Sequence, residues 1–444
     1  MPRSLAFDLL RGGSPTPLRD LDREAQVRGL DPRDRGLARQ LVATCLRRRG
    51  TLMALVRTFT RGKPKPDLAA ILHIGFAQIL FLDRVPDHAA VNSAVDAAND
   101  RLGLSKGRIV NGVLRTAIRA RREGACGDPK RDVPESPWCF DLDVFRDPDE
   151  HPLLWAEDAL SMPSLVMKGW VERFGREQAE ELARLAMLEP PLSVRVLGDD
   201  VDAVVAEFEA AGASVRARDG RDLVFDAGST EAVVTSAPFA RGDATVQGAA
   251  AARAAELVGA TPGERVLDLC AAPGGKSVAM ARAGALVTAV DVDPMRLDRV
   301  RENAERLGVA DRVATVVSDG TASLGRGEDG GLFDAVLVDA PCSNSGVFAA
   351  RPEARWRFGP ATSRSLADLQ ARLFDEGAER VREGGRLVWS TCSLEPGENT
   401  VQVRRFLREV GESRGFELVS DHLTLPRRGA PPIDGGYAAK LVRR

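Results

Sequence analysis

Between Arg3 and Arg122 apolar residues return every three or four positions, as in LARQLVATCLRRRGTLMALVRTF and LAAILHIGFAQILFL, with turn signals at GKPKPD and RVPDH. That period predicts an all-α bundle over residues 1–125. The stretch 126–150 is rich in Pro, Gly and charge and has no period, so it reads as a linker. Helical patterns (SLVMKGWVERFG, EQAEELARLAML) follow, then short strand-like runs (LSVRVLG, ASVRARD, DLVFDA, AVVTSA) around VDAVVAEFEAAG. Together they predict a small α+β domain over 151–241. Over 242–444 apolar β-branched runs (RVLDLC, LVTAVDVD, RVATVVSDG, FDAVLVDA, GRLVWSTCS) alternate with amphipathic helices, the pattern of a doubly wound parallel α/β sheet.

Charge changes this picture at one point. The whole chain of 444 residues carries a net charge of −2, but residues 1–130 hold 24 Lys and Arg against 13 Asp and Glu, leaving 38 against 51 for the remainder. A basic half joined to an acidic one suggests that the first half meets a polyanion, since neutralised phosphates release their counterions; Arg-rich helix surface is the alternative. Basic residues recur along Arg101–Arg122 on a helical pattern whose apolar face is Ile109, Val113, Leu114 and Ile118, which suits phosphate contact. The start, MPRSLAFDLLRGG, lacks the apolar run of a signal peptide, and no stretch approaches a membrane span, so the expectation is a cytoplasmic protein with no membrane partner. Six cysteines without a CxxC pair, and four scattered histidines, suggest neither a disulfide framework nor a metal site.

Candidate chemistry gathers at the ends of the α/β strands. RVLDLCAAPGGKS runs a strand into a Gly-rich turn that opens a helix, where backbone can approach a ligand closely. It is neither the GxGxxG of dinucleotide sites nor the GxxxxGK[ST] of a P-loop. Asp291, Asp319 and Asp339 end the next three strands, and an acid at that edge can accept from ribose hydroxyls. Singly, each would read as a cap or turn residue; in register with the Gly turn they favour an adenosine-bearing cofactor without phosphates. Cys342 (DAPCSNSG) and Cys392 (STCSLEPGEN) also follow strands, among small and polar residues where a thiolate can be exposed and activated. Cys45, by contrast, sits in a helical apolar stripe and reads as core. Arg351, Arg355 and Arg357 around Trp356 mix basic and aromatic side chains, either to grip a nucleic-acid strand or as a solvated loop.

LDLCAAPGGK, DAPCSNSGV, STCSLEPGEN and the terminal DGGYAAKL resemble the RsmB/Sun group of RNA 5-methylcytosine methyltransferases. DRGLARQLVATCLRR, HIGFAQILFLDRVPDHAAVNSAV and VNGVLR look like that group's NusB-like RNA-binding domain, so the resemblance covers nearly the whole chain. It implies a NusB-like domain, a small α+β domain and a Rossmann-like catalytic domain. It implies that Cys270, Ala271, Ala272, Pro273, Gly274, Gly275, Lys276, Asp291, Asp319 and Asp339 hold S-adenosyl-L-methionine. It also implies that Cys392 attacks the base, that Cys342 assists product release, and that the substrate is small-subunit (16S) ribosomal RNA rather than DNA. The chemistry fits two thiols: carbon 5 of cytosine becomes nucleophilic only after another nucleophile adds to carbon 6, and the adduct must then lose a proton and expel that nucleophile.

Several positions depart from the group's pattern. Gly248 stands where an acid is usual, Asn344 and Ser345 replace the commoner Gly-Thr, Trp389 replaces Tyr, and Gly436 replaces Phe. Gly248 and Gly436 bear on the shape of the pocket around the target base. Lys276 either touches the cofactor or a proton path, or lies with its charge in solvent. Competing readings are Cys342 as the nucleophile, transfer or messenger RNA as the substrate, and a non-catalytic assembly protein; the default oligomeric state is a monomer.

Overall fold

Proline opens four of the first seven helices in the computed structural model, Pro2–Arg11, Pro17–Val27, Pro32–Arg47 and Pro66–Phe81, where its missing N–H costs nothing and its fixed φ suits the first turn. The structure describes residues 1–320, 331–429 and 434–444. Helix Pro66–Phe81 buries eleven residues around its circumference and is therefore the centre of the bundle. Helices Arg49–Phe59, Asp87–Leu102 and Leu104–Ala120 complete it, as the apolar period requires.

Residues fall into two units, Met1–Leu188 with Phe348–Phe358, and Glu189–Val347 with Gly359–Arg444. Residues 126–150, expected as a linker, lie inside the first unit. There β1 (Arg121–Glu123) pairs antiparallel with β2 (Trp138–Phe140), and Val133, Phe140, Val144 and Phe145 are buried. The segment packs with little regular structure because its backbone groups are met partly within it, the Val133 amide on Trp138, that of Phe140 on Arg131 and those of Val144 and Phe145 on Lys130, and partly by side chains, Arg48 donating to the carbonyls of Pro134 and Glu135 and the Trp155 indole to Pro129. Arg355, expected as a possible RNA grip, is fully buried in this unit and donates to the carbonyls of Ser161, Ala186 and Phe348, its pKa lowered to about 9 by burial. Trp356 likewise donates to Leu46. Arg355 is thus an internal brace, closed off from any nucleic acid, while Trp356 is half-buried and anchored within the same unit.

The second unit begins with an antiparallel sheet of β3 (Leu192–Val196), β4 (Val215–Asp219), β5 (Asp222–Phe225) and β6 (Ala244–Val246), in the order β4-β5-β3-β6. Phe208, on helix Val201–Ala210, packs with Phe225 to form its core. A seven-stranded sheet follows: β7 (Arg265–Leu269), β8 (Leu286–Asp291), β9 (Val313–Val317), β10 (Phe333–Asp339), β11 (Val381–Thr391), β12 (Phe416–Thr424) and β13 (Gly436–Arg443). Its order is β12-β13-β11-β10-β7-β8-β9. Five adjacent strands, β11-β10-β7-β8-β9, pair in parallel and β12 runs in their direction, whereas β13 runs antiparallel to both β11 and β12. The sheet is thus mixed, and the reason is chain length: too few residues separate Thr424 from Gly436 for the crossover a parallel pair needs.

One face of this sheet buries Trp389, stacked on Phe374 at 4.6 Å, with Phe374 in turn on Phe406 at 4.4 Å. The other buries Val266, Val287, Leu337 and Val388 under helices. With both faces covered, the functional groups are left at the carboxyl edge of the parallel strands. Among the described residues no helix is long and apolar enough to cross a membrane.

Candidate active site

The Gly-rich turn leaves β7 through Cys270, whose φ of 64° is left-handed, and reaches helix Gly275–Arg282 through Gly274 at φ 96°. A Cβ on Gly274 would lie 3.0 Å from Val300 Cγ1 and 3.1 Å from Val300 Cα, so glycine is required on two counts. Gly274→Ala should cost about 1–3 kcal/mol of stability and displace the turn. Thermal denaturation should show a lower midpoint, and calorimetry with S-adenosylhomocysteine weaker binding.

Asp291, at the end of β8, is buried and already braces this turn. Its Oδ2 accepts from the Ala272 amide at 3.2 Å, and its Oδ1 from the Asp293 amide and the Arg296 guanidinium, each at 3.1 Å. Arg296 also donates to the Ala272 carbonyl at 2.7 Å, and Asn303 to Pro273 at 3.0 Å. Ala271, through its amide on Val290, and Gly275, opening the helix, complete a rigid cradle. Asp319 is exposed just past β9.

Sequence reasoning passed over Asp268, whose apolar neighbours make it look like part of an ordinary strand. It is fully buried, accepts from Ser277 Oγ at 2.5 Å, and leaves Oδ1 with no partner among the described residues. Burial raises its pKa to about 7 against the opposing pull of Ser277 and Lys276, with Asp339 and Asp291 adding to the rise. An orphaned carboxylate oxygen beneath a glycine cradle is a fit for a ligand carrying an ammonium group. A raised acid favours the protonated folded state, so its contribution is most favourable below pH 3.8 and is lost as pH rises to about 7, a cost on the order of 4 kcal/mol. Asp268→Asn should flatten the decline in urea midpoint between pH 4 and pH 7; an unchanged slope would remove Asp268 as its source.

Lys276 and Asp339 were expected at the cofactor. The structure pairs them, Nζ to Oδ2 at 2.6 Å, on the wall of a cavity of about 240 Å³ that they share with Cys392. Burial would lower the Lys276 ammonium, but Asp339 outweighs it and the pKa is raised. Lys276 is therefore held charged beside the thiol, and its charge is not in open solvent.

The two sequence-singled thiols meet. Cys342 Sγ lies 3.1 Å from Cys392 Sγ, and Cys392 Sγ donates to Asn344 Oδ1 at 3.2 Å. With the Cys392 proton on Asn344, Cys342 is the donor of the pair. Its hydrogen bond to Cys392, and then its burial, hold the Cys342 proton by raising its pKa well above the ordinary thiol value. Cys270 is pushed up to about 12, chiefly by burial, and is no nucleophile. Asn344 adopts the left-handed φ of 61° that a glycine would otherwise supply, which explains how Asn stands there.

The polar part of STCSLEPGEN is a clamp. Thr391 Oγ1 donates to Asn399 Oδ1 at 2.6 Å, Asn399 Nδ2 donates to the Ser393 carbonyl at 2.8 Å, and Glu398 accepts from the Ser343 amide at 2.9 Å. Glu398 and Asn399 thereby fix one cysteine loop against the other. Their spacing in the sequence gave no sign of this.

Two features lie in the first unit. A basic groove of about 870 Å³ is lined by Arg61, Lys63, Lys65, Lys106 and Arg108, among others, in accord with the charge split. Cys126, Asp132 and Cys139 bring their ligand atoms within 4.8 Å of one another, although their spacing matches no common metal pattern. Asp132 is already engaged by the amides of Cys126 and Gly127 at 2.7 and 2.9 Å, which accounts for the cluster without an ion.

Residues 255–427 match the family "16S rRNA methyltransferase RsmB/F", and residues 2–119 the NusB family. The probable ribosomal RNA small subunit methyltransferase B of Synechocystis sp. is 32% identical over 94% of this chain and 92% of its own length. The ribosomal RNA small subunit methyltransferase B of Pseudomonas putida is 32% identical over 94% and 93%. The crystal structure of PH0851 superposes with a TM-score of 0.74 at 24% identity, covering 99% of this chain and 98% of that one, and so shares its fold.

Proposed function

Since the chain belongs to the RsmB/F family of 16S rRNA methyltransferases, we propose that it methylates carbon 5 of a cytosine in small-subunit ribosomal RNA through a transient bond from Cys392 to carbon 6. The observation that carries this reading is the thiol pair, 3.1 Å apart, with Cys392 lining the cavity beside Lys276 and Asp339. S-adenosyl-L-methionine supplies an electrophilic methyl on a sulfonium. Cys270 to Gly275, Asp291 and the orphaned oxygen of Asp268 would hold it, with Asp319 near the same edge.

Cys392 is the nucleophile because it reaches the cavity while Cys342, tied to it, keeps its own proton. Once the proton that Cys392 shares with Asn344 has passed to solvent in the cavity, the thiolate adds to carbon 6 and the displaced ring electron pair makes carbon 5 nucleophilic toward a methyl group. Lys276, charged and half-buried, offsets the negative charge that the addition places on the ring. When the carbon 6–sulfur bond later breaks, the Cys342 thiol at 3.1 Å is in place to receive the departing thiolate with a hydrogen bond. The basic groove of the helical unit is suited to the phosphates of a long RNA.

Small-subunit RNA transcribed with 5-fluorocytidine tests the adduct directly, since fluorine cannot leave carbon 5 as a cation. The expected product is a detergent-stable protein–RNA complex carrying one methyl and mapping to Cys392. Normal methylation of ordinary RNA with no such complex would refute covalent catalysis.

A further inference from the structure

Product formation requires a base at carbon 5, and Asp339, the obvious acid, is tied to Lys276 at 2.6 Å. Tyr437, also on the cavity wall, donates its hydroxyl to Asp421 at 2.8 Å, and its pKa is raised, first by burial. His422 is on the exposed rim. Asp434 is different: its carboxyl lines the same cavity and has no hydrogen-bond or ion-pair partner among the described residues.

Its place is fixed relative to the thiols. The Gly435 amide donates to Gly346 at 2.9 Å, and the Gly346 amide donates to the Cys392 carbonyl at 3.0 Å. A Cβ on Gly346 would lie 2.5 Å from the Gly435 carbonyl oxygen, so the close approach of these two loop segments depends on glycine. Gly248 leaves the far side open, since even a Cβ there would lie 3.4 Å from Asp434 Oδ2.

We infer that Asp434 is the base that removes the carbon 5 proton from the methylated adduct, an assignment that rests on the cytosine-5 reading above. The proton moves to the Asp434 carboxylate, the carbon 5–hydrogen electron pair forms the carbon 5–carbon 6 double bond, the carbon 6–sulfur bond breaks, and its pair returns to Cys392. No other reactant is needed. Burial raises the Asp434 pKa, which strengthens it as a proton acceptor.

The test uses the full-length enzyme and small-subunit RNA labelled with tritium at carbon 5 of cytidine, with carbon-14 methyl on the donor. Asp434→Asn should transfer one methyl per enzyme in the first turnover, release tritium about 100-fold more slowly than wild type, and accumulate a methylated covalent complex that retains tritium. Asp434→Glu, with room toward Gly248, should restore much of the release. Tritium release by Asp434→Asn within twofold of wild type, or loss of its first-turnover methyl transfer, overturns the assignment. Failure of the wild type to release tritium while it methylates the RNA overturns the cytosine-5 reading instead.

Discussion

Cys392→Ala should lose methyl transfer by at least about 10⁴-fold and form no covalent complex with RNA, as expected when the group that makes the bond is removed. Without addition at carbon 6, carbon 5 lacks the electron density to take the methyl, and the neighbouring thiol is no substitute. Cys342 is held protonated by its hydrogen bond to Cys392 and by burial, and it does not line the cavity. The fold should survive, because the loop is clamped through Thr391, Ser393 and Asn399. Circular dichroism and a melting curve close to wild type would therefore accompany the loss. An active Cys392→Ala enzyme would falsify the assignment of the nucleophile.

Cys342→Ala separates addition from release. Removing the Cys342 thiol takes away the donor to the Cys392 sulfur at 3.1 Å but leaves Cys392 its contact with Asn344. Addition and the first methyl transfer should proceed, while expulsion of an unassisted thiolate slows turnover by about 100-fold. Ordinary cytidine RNA should then be retained on the protein in denaturing gels, in a band that requires both the methyl donor and Cys392. If Cys342→Ala turned over normally without such a band, the thiol pair would be a packing contact with no part in release.

The sequence made both cysteines and the Gly turn legible because each follows a run of β-branched residues, and parallel strands place all their carboxyl ends on one edge. The roles of Lys276 and Asp339 were not legible. Strand order sets β10 beside β7, so the acid ending one and the lysine after the other form a pair that no linear spacing encodes. Asp268 was hidden by its apolar neighbours, and Asp434 by its distance along the chain from either cysteine. The segment 126–150 reads as a linker for a related reason: its apolar residues have no period, but turns within it, together with Arg48 and Trp155, satisfy its backbone well enough to bury it. The antiparallel β13 could have been foreseen from the shortness of the chain between Thr424 and Gly436.

The central claim is the position of the methyl group. Unmodified small-subunit RNA incubated with the enzyme and labelled S-adenosyl-L-methionine, then digested to nucleosides, should carry its label as 5-methylcytidine alone. Label in any other nucleoside, at a rate unaffected by Cys392→Ala, would contradict the account.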